Sequence, residues 1–346
     1  MNSCLEHIPP RYEVYRSEYP GLSICRVSLQ EKGMYQILTE TGIAWAQVSG
    51  RFRHDVKTAS DYPAVGDYVM ADSDGDLAVI RSVLPRKSTV LRKAAGTSKS
   101  EQVIAANIDI IFVCMALNND FNLRRLERYL AVAWDSGATP VLLLTKTDLC
   151  DDLPEKIALA ESVSAGADII SVSSFEENGC RSVEPYLAPG RTIAFIGSSG
   201  VGKSTLINRL LGEDRQLTNG LRDDDKGRHT TTRRELIMLP NGTMVIDTPG
   251  MRELGMWDAG DGLSSAFAEI QELASRCRFR DCTHRTEPGC AIRAALESGE
   301  LSAERWESYQ KLKTENAYCE DAKGYLQAKN EKFMKIAMFN RAQRKK

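Results

Sequence analysis

Between residues 21 and 93 apolar and polar residues alternate in short runs, at 22–29, 34–39, 43–48, 67–71 and 77–83. A period of two marks strands that bury one face, so the pattern predicts five short strands. Asp74-Gly75 between the last two reads as a tight hairpin turn, and Pro63 and Gly66 punctuate the entry to the fourth. Five strands in about 75 residues fit a small antiparallel barrel. The OB-fold leads because it recurs among oligonucleotide binders; an SH3-like barrel is the alternative.

After a small polar stretch at 94–100, read as a linker, the texture changes. Apolar strands at 108–115, 141–144, 168–172 and 192–196 alternate with helical patterns at 123–134, 154–165 and near 181–187. Such alternation implies a parallel sheet covered on both faces. Further strands are expected at 235–239 and 243–246. From about residue 262 a third, mostly helical region holds a cysteine cluster, a short helix at 291–297, and a long polar helix that Ser302 is placed to cap.

Composition adds exclusions. The chain has 346 residues, 27% charged and 42% hydrophobic, which is neither a disordered nor a fibrous profile. Its longest apolar run, 110–117, falls short of the roughly 20 residues that span a bilayer. The first residues show no basic leader feeding a hydrophobic stretch, so a cytoplasmic protein is expected, with no membrane partner. Net charge is −2, from 45 Lys plus Arg against 47 Asp plus Glu, so any surface for nucleic acid must be a local basic patch. Of nine cysteines, three crowd into 277–290, which points to metal rather than disulfides.

Residues 197–205 read GSSGVGKST, a phosphate-binding loop between a strand at 192–196 and a helix at 203–211. Gly197, Ser198, Ser199, Gly200, Val201 and Gly202 let successive N–H groups point at phosphate oxygens, and the helix start adds partial positive charge. Lys203 is placed to reach the β- and γ-phosphates, Ser204 to ligate Mg²⁺, and Thr205 completes the turn. Asp247-Thr248-Pro249-Gly250 closes the strand at 243–246; there Asp247 suits the magnesium shell and the Gly250 N–H suits the γ-phosphate. Between them runs Lys226-Gly227-Arg228-His229-Thr230-Thr231-Thr232, a polar loop whose threonine could meet magnesium only when the γ-phosphate is present. Thr231 is favoured among the three. Base choice falls to Thr145-Lys146-Thr147-Asp148 after the strand at 141–144. Asp148 would accept hydrogen bonds from the guanine ring N–H and amine, Lys146 would lay its stem on the base, and Ser173-Ser174 would give a backbone N–H to the guanine oxygen.

These motifs stand in the order TKTD, SVSS, GSSGVGKST, threonine loop, DTPG, which is circularly permuted relative to the usual small GTPases. A small barrel, a permuted GTPase domain and a cysteine-histidine cluster, in this order over nearly the whole chain, resemble the small ribosomal subunit biogenesis GTPase family RsgA, also called YjeQ or YloQ. The resemblance implies GTP and GDP as ligands, rRNA of the small ribosomal subunit as partner, and subunit-stimulated GTP hydrolysis during late subunit maturation. The chain departs from the family at Thr145, where the usual residue is Asn, leaving one hydroxyl to hold the loop. Gly200 stands where potassium-using relatives carry Asn, so potassium dependence is not carried over. Met251 replaces the glutamine that orients water in signalling GTPases, so intrinsic hydrolysis should be slow. His229 is the candidate to position the water, the alternative being a solvated or RNA-contacting loop histidine.

Cys277, Cys282, His284 and Cys290 follow C-x4-C-x-H-x5-C. Three thiolates and an imidazole make a closed tetrahedral zinc site, structural rather than catalytic, and the same ligand pattern belongs to the family. With little apolar content, the domain is expected to depend on that metal for folding. For RNA, Arg51-Phe52-Arg53-His54, then Arg86, Lys87, Arg92 and Lys93, mix stacking and charge, and Lys329, Lys332, Lys335, Arg341, Arg344, Lys345 and Lys346 make a basic tail. A solvated face or a frayed terminus is the alternative for each. The expected fold is thus multidomain: an N-terminal OB-fold β-barrel (1–96), a central α/β P-loop GTPase domain (97–260), and a C-terminal helical zinc-binding domain (261–346). The chain is expected to work as a monomer, with no DNA partner. A switch for an unrelated protein partner, or an RNA-binding module that no longer hydrolyses GTP, are the rival functions.

Overall fold

The computed structural model describes residues 8–31, 33–73, 77–93, 101–118, 120–164, 166–174, 176, 179–212, 234–247 and 262–320. Two single-turn helices, α1 (Pro10–Glu13) and α2 (Tyr15–Glu18), lead into β1 (Ser23–Glu31), β2 (Met34–Leu38) and β3 (Ile43–Val48). Helix α3 (Gly50–Asp55) follows, started by the Ser49 hydroxyl accepting from Phe52 N–H at 3.1 Å; β4 (Tyr68–Asp72) and β5 (Ala78–Val83) complete the set. β1 pairs with β2 and β4, β2 with β3, β3 in parallel with β5, and β5 with β4, so the strands close on themselves. Alternate residues such as Val27, Ile37, Val69 and Ile80 fill the interior. This closed five-stranded barrel is the OB arrangement rather than the SH3-like alternative. Asp74 and Gly75 lie outside the described residues.

β6 (Thr89–Lys93) and β7 (Glu101–Ala106) pair antiparallel, so the stretch at 94–100 joins two strands of one ribbon, and the expected boundary at 96/97 falls between them. The central sheet holds β8 (Ile110–Ala116), β9 (Thr139–Thr145), β10 (Asp168–Val172), β11 (Thr192–Ile196), β12 (Arg234–Met238) and β13 (Met244–Asp247), in the order β10-β9-β8-β11-β13-β12. Five strands are parallel and β12 is antiparallel. All seven residues of β8 are buried: Ile111, Val113 and Met115 enter the core on one face, Phe112, Cys114 and Ala116 that on the other. Such two-sided burial is why the strand reads as an unbroken apolar run. Helices α4 (Leu123–Asp135), α5 (Leu153–Glu161) and α6 (Lys203–Leu211) match the periodicity, but 181–186 is a 3₁₀ turn with Pro185 inside it, because proline cannot donate the α-helical bond.

The barrel is joined to this sheet. β1 pairs with β12 through Leu29 and Glu235, and Gln30 and Arg234, making one continuous run of 11 strands. At the junction Arg26, 1% exposed, donates to Thr192 Oγ1 at 2.6 Å and lies over the Tyr68 ring at 4.8 Å.

Four further helices follow, α7 (Gly262–Ala266), α8 (Ala268–Ser275), α9 (Ala291–Ser298) and α10 (Ala303–Glu320); α7 packs against α4, α9 against α8, and α10 reaches α4 through the Arg128–Glu315 and Arg305–Glu127 pairs. The Ser302 hydroxyl accepts from Arg305 N–H at 3.1 Å, the cap its position predicts. Phe267, Ile270, Ile292 and Leu312 are buried, so this region has a core besides its cysteines. Arg305 joins it to α4 through a buried pair with Glu127 at 2.6 Å. Among the described residues no helix is long and apolar enough to cross a membrane.

Candidate nucleotide site and metal centre

The chain runs from β8 outward through β9 to β10, then returns to β11 on the other side of β8. Ligands of open α/β sheets bind at the carboxyl edge of such a switch point. Thr145 ends β9, Ser173 follows β10, Gly197 follows β11 and Asp247 ends β13, so four segments dispersed in sequence meet at that one edge.

β11, buried at all five residues, delivers Gly197 at φ 146°. A Cβ there would lie 2.5 Å from the Cys114 carbonyl oxygen of β8, so only glycine lets the loop leave the sheet here. Gly202 precedes the first turn of α6, which carries Lys203, Ser204 and Thr205. Lys203, 7% exposed, folds its ammonium across the loop and donates to the carbonyls of Gly197 at 2.6 Å and Ser198 at 2.5 Å. Charge is thereby placed inside the cradle of N–H groups. One contact that no motif predicts comes from α4: Arg125 donates to the Ser198 hydroxyl at 2.5 Å while paired to Asp120 at 2.8 Å.

On the base side, the Thr145 hydroxyl, 3% exposed, donates to Val201 O at 2.7 Å. The one hydroxyl thus ties the end of β9 to the glycine-rich loop. Lys146 takes a left-handed conformation, φ 62°, which turns the chain into the 3₁₀ turn Thr147–Leu149 that presents Asp148. Ser173 Oγ donates to Asp148 Oδ1 at 2.7 Å, while its backbone N–H is spent on Gly179 O at 3.1 Å. Ser173 therefore orients the aspartate, and its own backbone N–H is not the one offered outward. His229, Thr230, Thr231, Thr232, Thr248, Pro249, Gly250, Met251 and the basic tail lie outside the described residues.

The ligand atoms of Cys277, Cys282, His284 and Cys290 all lie within 4.8 Å of one another. The Cys277 and Cys290 sulfurs are 4.0 Å apart, and His284 Nδ1 lies 3.6 and 3.5 Å from them. A tetrahedral zinc with bonds of about 2.3 Å sets its sulfurs about 3.8 Å apart, so the four residues fit that ion. Burial opposes ionisation of Cys277, but the N–H groups of Ala291 and Ile292 and the neighbouring thiols outweigh it and hold the thiol below its ordinary value. Burial, then the Lys313 ammonium, lowers the His284 imidazole and favours the neutral form a metal requires. The connecting turn is shaped by Glu287. Its carboxylate accepts from the N–H groups of Thr283, Arg285 and Thr286 at 3.0, 2.9 and 3.1 Å, and hydrogen bonds led by Thr283 hold its pKa at about 2.

The basic residues of the barrel divide into two groups. Arg86 pairs with the buried Asp67 at 2.7 Å and Lys87 with Asp109 at 2.7 Å, so both serve the fold. Arg51, Arg53 and His54 project from α3, whereas Phe52 packs edge-on against Tyr62 at 6.0 Å. Arg51, Lys57 and Arg81 line a cavity of about 840 Å³. On the barrel, an exposed aromatic is Trp45 on β3, 41% accessible and beside Leu77 by the Ala46–Ala78 register. Its signal was present in the alternation, since Ala44 and Ala46 flank it on the opposite face.

The family model described as RsgA GTPase matches residues 83–257. The chain is 52% identical over 300 residues to the small ribosomal subunit biogenesis GTPase RsgA 2 of Lactiplantibacillus plantarum, covering 86% of this chain and 84% of that one. It is 46% identical over 305 residues to the small ribosomal subunit biogenesis GTPase RsgA of Opitutus terrae, covering 85% and 83%. Among solved structures it is similar to YjeQ from Thermotoga maritima, with a TM-score of 0.64 at 27% identity over 84% of this chain and 97% of that one. It is also similar to YloQ, described as a circularly permuted GTPase, with a TM-score of 0.62 at 25% identity over 87% and 96%.

Proposed function

The chain belongs to the RsgA GTPase family, and from that premise we propose that it hydrolyses GTP on the small ribosomal subunit during its late maturation. The observation that supports the reading is the bond from Thr145 to Val201, which joins the segment that carries Asp148 to the segment that carries Lys203. In this reading Asp148, aimed by Ser173, reads the base, Ser174 meets its oxygen, and Lys203 with the N–H groups of 197–205 holds the phosphates. Magnesium would be held by Ser204, Asp247 and Thr231, and would supply positive charge to the phosphate oxygens. His229 would position the water, with Gly250 near the γ-phosphate. Zinc would sit among Cys277, Cys282, His284 and Cys290 and brace the turn between α8 and α9. Trp45, Arg51, Lys57 and Arg81 offer a stacking ring and charges to ribosomal RNA. The barrel part ends before β6, since β6 and β7 form one ribbon, and the metal-bearing part begins near 261. A ribosome biogenesis factor of this kind works in the cytoplasm.

GTP turnover measured with and without purified small subunits, over a salt series, tests the proposal. Turnover should rise with subunits, and the stimulation should fade as salt screens phosphate contacts. Absence of stimulation by an intact, GTP-binding protein would overturn the ribosomal reading in favour of a switch for another partner.

A further inference from the structure

The loop that faces the base is held from outside by a residue that belongs to no nucleotide motif. Ser173 and Gly179 meet across the loop after β10, with Ser173 N–H donating to Gly179 O at 3.1 Å and Gly179 N–H to Glu176 O at 3.2 Å. Gly179 presses so closely on Ser173 that a Cβ would lie 2.0 Å from the Ser173 carbonyl oxygen. A trans peptide sets its C=O and N–H in opposite directions, so the Ser174 N–H points away from Gly179 and out of the loop. Six residues beyond Lys203, on α6, Arg209 reaches the same loop. Its guanidinium donates to Ser174 O at 2.6 Å and to Glu176 O. The planar fork thus grips two carbonyls, two residues apart, and joins them to the helix that begins at the phosphate loop.

We propose that Arg209 is a positioning residue for base recognition: by holding the Ser174 and Glu176 carbonyls it fixes the Ser174 backbone against the guanine O6 and sets how well the site distinguishes guanine from a purine lacking that oxygen. The inference rests on the guanine-nucleotide reading above. Thr145 fastens the base-reading strand to the phosphate loop from within, and Arg209 fastens the O6-facing loop to α6 from the surface. Because Arg209 is exposed, its removal costs the fold little, and the effect appears in where the loop sits.

Displacement of a fluorescent GDP from the full-length protein gives affinities for GDP and for 2-aminopurine riboside 5′-diphosphate, which keeps the ribose, both phosphates and the exocyclic amine but lacks O6 and, with it, the ring N–H, so each variant is compared with wild type on each ligand separately. Arg209→Met should weaken GDP about fivefold and leave the analogue within about twofold of wild type. Arg209→Lys, able to reach one carbonyl, should fall between. Equal losses for both ligands would make the arginine a support of α6 alone, and an undiminished GDP affinity would free the loop from it; either overturns the proposal. Thermal unfolding accompanies each variant, and Arg209→Gln carries the same comparison should the methionine variant not fold. A wild-type protein that binds GDP no better than ADP would instead sink the guanine reading itself.

Discussion

The phosphate loop and the cysteine-histidine turn both gather charge, and they keep their shapes by opposite means. The phosphate loop springs from β11, buried at every residue, and runs into α6, whose Leu206, Ile207 and Leu211 are buried. Each such side chain contributes about 1.5–3 kcal/mol, so apolar packing fixes the loop at both ends before any phosphate arrives. In the turn from Cys277 to Cys290 only Cys290 is buried; every other residue is exposed or intermediate. Its apolar contacts are limited to Cys277, Cys282 and Cys290 at the margin of the core and to His284 edge-on against Trp306, so its form rests largely on the Glu287 carboxylate and, in the proposed zinc reading, on the four ligands joined by their metal. Yet α7 to α10 around it bury Phe267, Ile270, Ile292 and Leu312, which corrects the expectation of a domain with little apolar content. Any dependence on metal should therefore be confined to the turn.

The sharpest way to break this contrast is to remove the metal. A chelator strong enough to strip zinc should raise amide exchange across 277–290 on the order of 10³-fold, while α10, anchored through Arg305 and Glu127, and the phosphate loop keep their protection. Hydrogen exchange read by mass spectrometry locates the change. Exchange spreading through α7 to α10 would mean that the helices have no stability apart from the metal.

The next largest effect lies on the other side of the comparison. Lys203→Ala removes the charge in the cradle but not the packing that shapes it, so single-turnover GTP hydrolysis should fall about 100-fold while the unfolding midpoint stays near wild type. A large drop in the midpoint would show that Lys203, through its bonds to Gly197 and Ser198, holds the loop together.

How far the sequence discloses each region follows from the same physics. GSSGVGKST is a contiguous segment whose chemistry is largely backbone geometry, so its glycines and flanking apolar runs reveal it; TKTD and DTPG stand out as aspartates at the ends of apolar runs, and the permutation follows from the order of the three. The Cys/His spacing is legible for the same reason. What joins the parts is not. Arg125 meets Ser198 across 73 residues, Arg26 meets Thr192 across 166, and Arg305 meets Glu127 across 178, and nothing local marks these arginines among the other surface-type charges. The ribbon of β6 and β7 was hidden because a hairpin connection and a flexible linker share small polar residues. The backbone N–H of Ser173 looked available for the base because its partner, Gly179, sits in a loop whose closure no periodicity encodes.

Glu287 gives the finest test of whether the turn is shaped by polar contacts. Glu287 Oε1 takes the Thr283 N–H and hydroxyl, and Oε2 takes the N–H groups of Arg285 and Thr286, so both oxygens are engaged with the stretch that carries Cys282 and His284. In Glu287→Gln one oxygen survives as an amide carbonyl, but the other becomes an NH₂ facing N–H donors, and half of the ring of bonds is lost. Contacts behind metal ligands are typically worth about tenfold in metal affinity, so zinc transfer to a colorimetric chelator should run about ten times faster in the variant. GDP affinity should not change, because the phosphate loop draws its shape from β11 and α6. Wild-type transfer kinetics would leave the metal alone as the organiser of the turn. A parallel loss of GDP affinity would mean that the two regions are coupled through α4, whose Arg125 touches the phosphate loop and whose Glu127 holds α10.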